Sequence, residues 1–486
     1  MIKLKIANPG KIIFLPLKNH LKKIILTVSS IIIFSSLFNS CTCSLPLTYG
    51  LKISQFGITW YFDKEYKHGR FANGDYWVVG PVAIVYIDPP SKYSGSRVKN
   101  GSMVNIDQTT GREGYDNGND SLSYSDSLNA ALDVSQYHPL KLAAGSSLVS
   151  TISIAEENNR PQLSDAAILT VLDSAPPDGS FRPPYCGSDK TIKYNISLLS
   201  ANSSLLKQKA VVDDTPDIAT VERYFERPWI DHISNWTAGL IHPENNMPNY
   251  GREISSEVGI GALMLHLNYD YSFKETLLIR YIQLGIDLYG VLENGGEWPN
   301  DGGHASGRKW PILFAGIMLG DAGMKAVGEK SGDYLYDGDY EAGDPPPDYI
   351  HFGEDDQTFI VSSEDTGRTL TANWEGIVGE AYTGMEGMPE WGIGHSTNPG
   401  IDNSDWNASY RRCCTALAWP GFVLAALIMD ADTGSKALWN HDALFDYMDR
   451  YMAIENGEDD GWTVVNEATG WRSSSSFAAN MWDAYR

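Results

Sequence analysis

The chain has 486 residues and a formal net charge of −24 at neutral pH, from 37 Lys and Arg against 61 Asp and Glu. Such an acid excess argues against a nucleic-acid partner, and any polyanionic ligand has to be held by a local basic patch against the general field. Five cysteines do not make a disulfide scaffold.

Residues 1–41 read as an export signal. They carry six lysines, at 3, 5, 11, 18, 22 and 23, with no Asp or Glu, and then the apolar run IILTVSSIIIFSSLF. The run is short for a transmembrane span. Ser40-Cys41 resembles a lipoprotein processing site with Cys41 as the lipidated residue, although Phe38 and Asn39 depart from the usual pattern. The expected location is a bacterial cell envelope, lipid-anchored at the outer surface or in the periplasm, with plain secretion as the alternative. Loss of the six lysines takes the net charge from −24 to −30.

The length predicts two or three domains. From about residue 50 to 200, GITWYFD, GDYWVVGPVAIVYIDPP, HPLKLAAGSSLVSTISI and DAAILTVLDSAPPDG alternate with turn clusters, which predicts an antiparallel β-sandwich-like domain. Ser94 to Ser127, rich in Gly, Asn, Asp and Ser, reads as exposed loops. Pro183 to Asp217 reads as a last strand or two and a linker, the linker proper being 201–216.

From 217 to 486 the apolar period becomes helical. The segments are TVERYFERPWIDHISNWTAGLI, EISSEVGIGALMLHLN, FKETLLIRYIQLGIDLYGVL, RKWPILFAGIMLGDAGM, ALAWPGFVLAALIMDA and DALFDYMDRYMA. Several are apolar nearly all round, as helices buried in a double layer are. Paired around an axis they predict an α/α toroid, an incomplete barrel of helix hairpins. No clean fixed-period repeat supports the rival α-solenoid.

Four polar clusters precede buried helices. HPENNMPNYGRE holds Asn246, Tyr250, Arg252 and Glu253. GGEWPNDGGHASGRKW holds Glu297, Trp298, Asp301, His304 and Arg308. WGIGHSTN holds Trp391 and His395, and DNSDWNASYRRCC holds Trp406, Tyr410, Arg411 and Arg412. In a toroid, loops at one end gather round one cleft, so this shared placement predicts a single site.

The side chains suit an acidic sugar chain. Trp298, Trp391 and Trp406 can stack on pyranose faces, and arginines make paired contacts to carboxylates. β-Elimination needs the substrate carboxylate neutralised, a base for the C5 proton and an acid at the leaving oxygen, roles that fit His304 and Tyr410. A phenol near its ordinary pKa of about 10 must be lowered to act as a base, and Arg411 or Arg252 would favour the phenolate. Asn246, Tyr250, Arg252, Trp298, Arg308, His395 and Trp406 are the expected substrate contacts. Each has a structural counterpart: a helix cap, a core aromatic or an ordinary ion pair. Arg411 and Arg412 face different ways on a helix, so at most one is expected at the site. Adjacent Cys413 and Cys414 are expected as buried thiols, since neighbouring cysteines seldom pair.

No HExxH, paired cysteine ligands or EF-hand spacing is present, and DGDYEAGDPPPD and GEDDQ suit calcium only by loose analogy, so no metal or cofactor is assigned beyond a structural cation there. Walker A, GxGxxG and GxSxG motifs are missing too. The GGEW, GGH, GRKWPILFAG and SYRRCC stretches resemble bacterial polysaccharide lyases with toroid folds, specifically the alginate and glucuronan lyases of polysaccharide lyase family 38. The resemblance covers the helical part only, and the β domain ahead of it is a departure. It implies His304 and Tyr410 as the acid and base, supported by Glu297 and an arginine such as Arg411. Two alternatives stand beside it. One is a glycoside hydrolase using two carboxylates among Glu253, Glu257, Glu297, Asp301 and Asp405; the other is a non-catalytic glycan-binding surface lipoprotein.

Overall fold

The computed structural model describes residues 48–107, 111–118, 123–156, 160–233, 241–247, 249, 251–299, 302–331, 349–363, 366, 382, 384–392, 409–461, 463 and 469–486. The leader, with Cys41, lies outside them. Residues Leu45–Arg486 form one compact unit. Its N-terminal part is a curled mixed sheet and its C-terminal part is helical.

Strands β1 (Thr48–Gln55) and β2 (Ile58–Arg70) form a hairpin closed by Phe56 and Gly57. Both turn residues have positive φ, 48° and 78°, which matches the twist of paired strands. Strands β3 (Tyr76–Val79) and β4 (Val82–Asp88) then follow each other antiparallel to β2 and are separated by Gly80-Pro81. Proline cannot donate to a ladder, so the strand breaks there. Next come β5 (Lys92–Ser94), β6 (Arg97–Lys99), β7 (Ser102–Val104), β8 (Leu140–Leu142), β9 (Ser146–Ser153) and β10 (Leu163–Leu172). The order β7-β9-β10-β3-β2-β4-β8, with β1 also on β2, makes a single eight-stranded sheet. This corrects the antiparallel sandwich: β10 runs parallel to β3, and the break lets β10 pair with β3 while β8 pairs with β4.

The period of two along β10 divides the core. Ala167, Leu169 and Val171 pack with Ile58, Trp60 and Ile84 inside the curl, whereas Ala166 and Ile168 belong to the large cluster shared with the helices. Ser94 to Ser127 is not the exposed loop expected. Its Glu113, Tyr115 and Asp116 are buried, and Arg97 holds Asp116 at 2.8 Å. Polar composition misled here because these groups satisfy one another inside the protein.

The helices are α1 (Ser197–Asn202), α2 (Ile218–Tyr224), α3 (Glu253–Leu265), α4 (Tyr271–Glu293), α5 (Lys309–Leu319), α6 (Ala322–Lys325), α7 (Gly353–Asp356), α8 (Ser409–Cys413), α9 (Pro420–Thr433), α10 (Ser435–Trp439), α11 (Asp442–Glu455) and α12 (Ser476–Tyr485). A short pair, β11 (Thr358–Ile360) and β12 (Pro389–Trp391), lies among them. Helix α5 ends at Gly320 with φ 72°, and α9 begins at Pro420, the end and start signals of those residues. Gly259 of α3 meets Gly421 of α9 so closely that a Cβ on Gly259 would lie 2.9 Å from the Gly421 Cα.

Two helical expectations change. The segment around RPWIDHIS is not helical: α2 stops at Tyr224, because Pro228 disfavours helix at Arg227 before it. Pro183 to Asp217 contains α1 rather than a strand. Just ahead of it, Arg182 ties sheet to helices. Its Nε lies 2.6 Å from Asp75 and its Nη1 2.9 Å from Asp287 of α4, all three buried.

Candidate functional site

The loop 302–308 ahead of α5 is held by the stretch Gly353–Gln357. Gln357 Nε2 donates to the Gly302 carbonyl at 2.9 Å, and the Gly307 amide donates to Glu354 Oε2 at 3.0 Å. Lys309 Nζ donates to Asp355 Oδ2 at 2.5 Å, and Asp355 Oδ1 accepts from Trp439 Nε1 at 2.8 Å. The GEDDQ carboxylates Glu354 and Asp355 therefore buttress the loop instead of facing solvent.

Arg308 anchors the same loop from below. Its Nη1 donates to the carbonyls of His304 and Ser306, at 2.7 Å each, while Nε and Nη2 reach Asp231 at 2.6 and 3.2 Å. Asp231 also lies 3.5 Å from His242 Nε2, and its backbone amide donates to the Tyr185 hydroxyl at 2.9 Å. Burial pushes the Asp231 carboxyl up, but Arg308 and His242 together outweigh it and hold the group well below the usual range. Burial holds His232 and His242 neutral, lowering His232 to about 3.

Three of the four polar clusters meet at His304. A Cβ on Gly251 would lie 3.7 Å from His304 Cε1 and 3.5 Å from Glu253 Oε2. Gly303 backs onto the Cys414 carbonyl, and a Cβ there would lie 3.3 Å from the Arg252 amide nitrogen. Arg252 Nη1 donates to the Cys413 carbonyl, closing the triangle. Gly251 has φ 134°, a backbone open to glycine, which lets this loop pass close to the imidazole. His304 is half-buried, and the Arg252 side chain is 36 % exposed.

Cys413 and Cys414 are joined by a disulfide, with Cα atoms 3.7 Å apart, which corrects the expected thiol pair. The bond sits where α8 ends, and Thr415, at φ −120° and ψ −96°, has already left the helix. Two neighbouring side chains need not diverge once the helix has stopped.

Other expected contacts are occupied elsewhere. Trp298 is 2 % exposed and stacks on Phe352 at 5.7 Å, so it offers no open face. Asn246 is buried, accepting from the Arg227 amide at 3.1 Å and donating to its carbonyl at 2.7 Å. Arg411 is buried at 3.0 Å from Glu390 and lies over the Trp391 ring, and Arg412 is buried at 2.5 Å from Glu455. Both arginines thus form internal ion pairs, where one had been expected to remain at the site. Glu297 is half-buried and makes no hydrogen bond to His304 among the described residues. Its charge acts instead on His351; burial lowers that imidazole, but Asp356 at 3.0 Å and Glu297 raise it overall. Trp391 is buried too. Tyr250, Asp301, His395, Asp405 and Trp406 lie outside the described residues, as does the side chain of Tyr410, the second residue of α8.

Sequence reasoning missed Asp231 and His242, and it read Glu354 and Asp355 of GEDDQ only as a loose calcium analogy. Pro228 was the available signal that RPWID was not helix interior. Among the described residues, no group of three or more His, Cys, Asp or Glu is placed to hold a metal ion.

No protein-family model, no curated protein and no solved structure matches this chain.

Proposed function

We propose that the chain is a polysaccharide lyase that cleaves a uronate-containing acidic glycan by β-elimination, its helical region being an α/α toroid of the kind its resemblance to polysaccharide lyase family 38 implies. The observation that carries this reading is the meeting of the Gly251-Arg252, Gly303-His304 and Cys413-Cys414 backbones around a half-buried imidazole. Arg252 supplies a cation beside it for the substrate carboxylate. In the step proposed, a base removes the C5 proton and the electron pair forms the C4–C5 double bond. The C4–O4 bond breaks, and O4 takes a proton from the acid. His304 and Tyr410 are the pair assigned to these transfers. The buttressing by Glu354, Asp355 and Gln357 supports the reading because acid–base chemistry needs a fixed imidazole.

The test is incubation with alginate, glucuronan, ulvan, pectin and glycosaminoglycans, read by ultraviolet absorbance of the unsaturated uronate and by reducing ends together. Both signals should rise with one of them. His304→Ala and Tyr410→Phe should abolish both and leave glycan binding. Activity surviving in both variants would sink the assignment.

One observation favours a second reading, a glycoside hydrolase. Glu253 and Glu257 stand one turn apart on α3, and burial, with the Glu253 charge, raises Glu257 well above the usual carboxyl range while Glu253 stays half-exposed. A carboxyl kept protonated in this way suits a general acid, with a solvent-accessible carboxyl one turn away. Reducing ends without the ultraviolet signal would select it. Lipid attachment at Cys41 belongs to the proposal, and fatty-acid labelling lost in Cys41→Ser tests it.

A further inference from the structure

The sheet carries a groove of about 870 Å³ between β1, β2 and β3. In a chain with 61 acidic residues, no carboxylate lines it among the described residues. Tyr49, Lys52, Tyr61, His68, Arg70 and Tyr76 supply its side-chain chemistry. Tyr49 is 67 % exposed. Lys52 Nζ lies 5.6 Å from the Tyr61 ring centre, and the Arg70 guanidinium lies 4.1 Å from that of Tyr76. The His68 ring stands edge-on to Tyr76 at 6.2 Å. Neither Lys52 nor Arg70 takes part in an ion pair among the described residues. Asp63 and Glu65 share β2 but do not line the groove, and Asp63 accepts from the Tyr66 hydroxyl at 2.8 Å.

From this lining we infer that the groove is a second, non-catalytic binding site for an acidic polysaccharide. The exposed Tyr49 ring presents a flat apolar face to a pyranose ring, and Lys52 and Arg70, lying over the half-buried Tyr61 and Tyr76 rings, meet uronate carboxylates. Its local charge is opposite in sign to that of the whole protein, so a polyanion repelled elsewhere finds its lowest energy here. Strand β1 has eight residues, a run of roughly 26 Å at about 3.3 Å per residue, enough for several sugar units. The groove shares no residue with the loops around His304. It would hold a polymer while the cleft works on it.

The inference rests on the proposed substrate class, and the experiment separates the two. The full chain, Tyr49→Ala/Lys52→Glu and His304→Ala are run in native gels containing alginate or polygalacturonate, with polyglutamate as the acidic-peptide control, and assayed in parallel for unsaturated product. The altered side chains are exposed, so circular dichroism should be unchanged. The groove variant should lose retardation by at least about fivefold in apparent affinity, and His304→Ala should keep it. Full retardation of the groove variant overturns the inference even if product forms. Groove-dependent retardation by polyglutamate alone overturns the choice of a sugar ligand. Groove-dependent retardation by a polyuronate with no product from any glycan upholds the inference and removes the lyase reading.

Discussion

Glu354 offers the sharpest test of how the His304 loop is held. Its carboxyl is fully buried, and Oε2 accepts from the Gly307 amide. Burial, with the charge of Asp355, raises it from 4.5 to about 8, so the folded protein keeps it protonated at neutral pH. A raised pKa means the stabilisation is complete below the unfolded value of 4.5 and is lost as pH rises through about 8. Within that window one such group changes stability by about 1.4 kcal/mol per pH unit, or roughly 3 kcal/mol between pH 4.5 and 7. Glu113, also raised to about 8, adds the same sign. His232 and His266, lowered to about 3, add the opposite sign, but only below their ordinary 6.5. Stability should therefore fall above about pH 6.5. Glu354→Gln keeps the oxygen that faces Gly307 and replaces a neutral carboxyl with a neutral amide of the same shape. Urea denaturation at pH 5.5, 7 and 8 should find the variant within about 1.4 kcal/mol of the parent at pH 5.5 and increasingly the more stable at the higher values. The reasoning fails if the variant is several kcal/mol less stable at pH 5.5 and its pH slope matches the parent's, since Glu354 would then be an ionised partner in the fold.

Arg308→Ala leaves Asp231 as an unpaired buried charge and should destabilise by about 3–5 kcal/mol, lowering the thermal midpoint; a midpoint within a degree or two of the parent would contradict the network. Gly303→Ala puts a methyl into the Cys414 carbonyl, so it should abolish glycan turnover while the β1–β2–β3 groove still retards in gels. A variant turning over normally would show that this contact is not needed. In non-reducing digests the tryptic peptide from Cys413 to Lys436 should resist alkylation, then take two alkyl groups after reduction; alkylation without reductant would refute the disulfide.

The strands and the long helices were legible because their burial is periodic. Trp60 and Phe62 alternate inward along β2, and α3, α4, α5 and α9 carry apolar residues on nearly every face because they are surrounded. The clustering of glycine loops ahead of buried helices was legible too, and three of those loops do meet. What could not be read was the partner of each polar residue. Arg308 stands 77 residues from Asp231, and Glu354 stands 47 from Gly307. Spacing in sequence carries no record of such pairs, so a buttress and a binding group look alike. Composition erred in the same way at Glu113 and Asp116, where polar residues are core.

The locations of the cations narrow the chemistry further. Arg308, Arg411 and Arg412 each face a carboxylate within the protein, and their charges are compensated before any ligand arrives. An arginine already paired and buried has little left to offer a uronate, because withdrawing it would strand Asp231, Glu390 or Glu455 in the interior. Among the described cationic side chains beside His304, Arg252 is the one with solvent access, and its own partner, Glu253 at 3.4 Å, is half-exposed and easily displaced. If β-elimination takes place here, the neutralising charge at the reacting sugar must come chiefly from Arg252. Arg252→Gln should then lower kcat as well as raise KM, because the charge on the substrate carboxylate grows in the transition state. A rise in KM alone would assign Arg252 to binding and leave the neutralisation to another group.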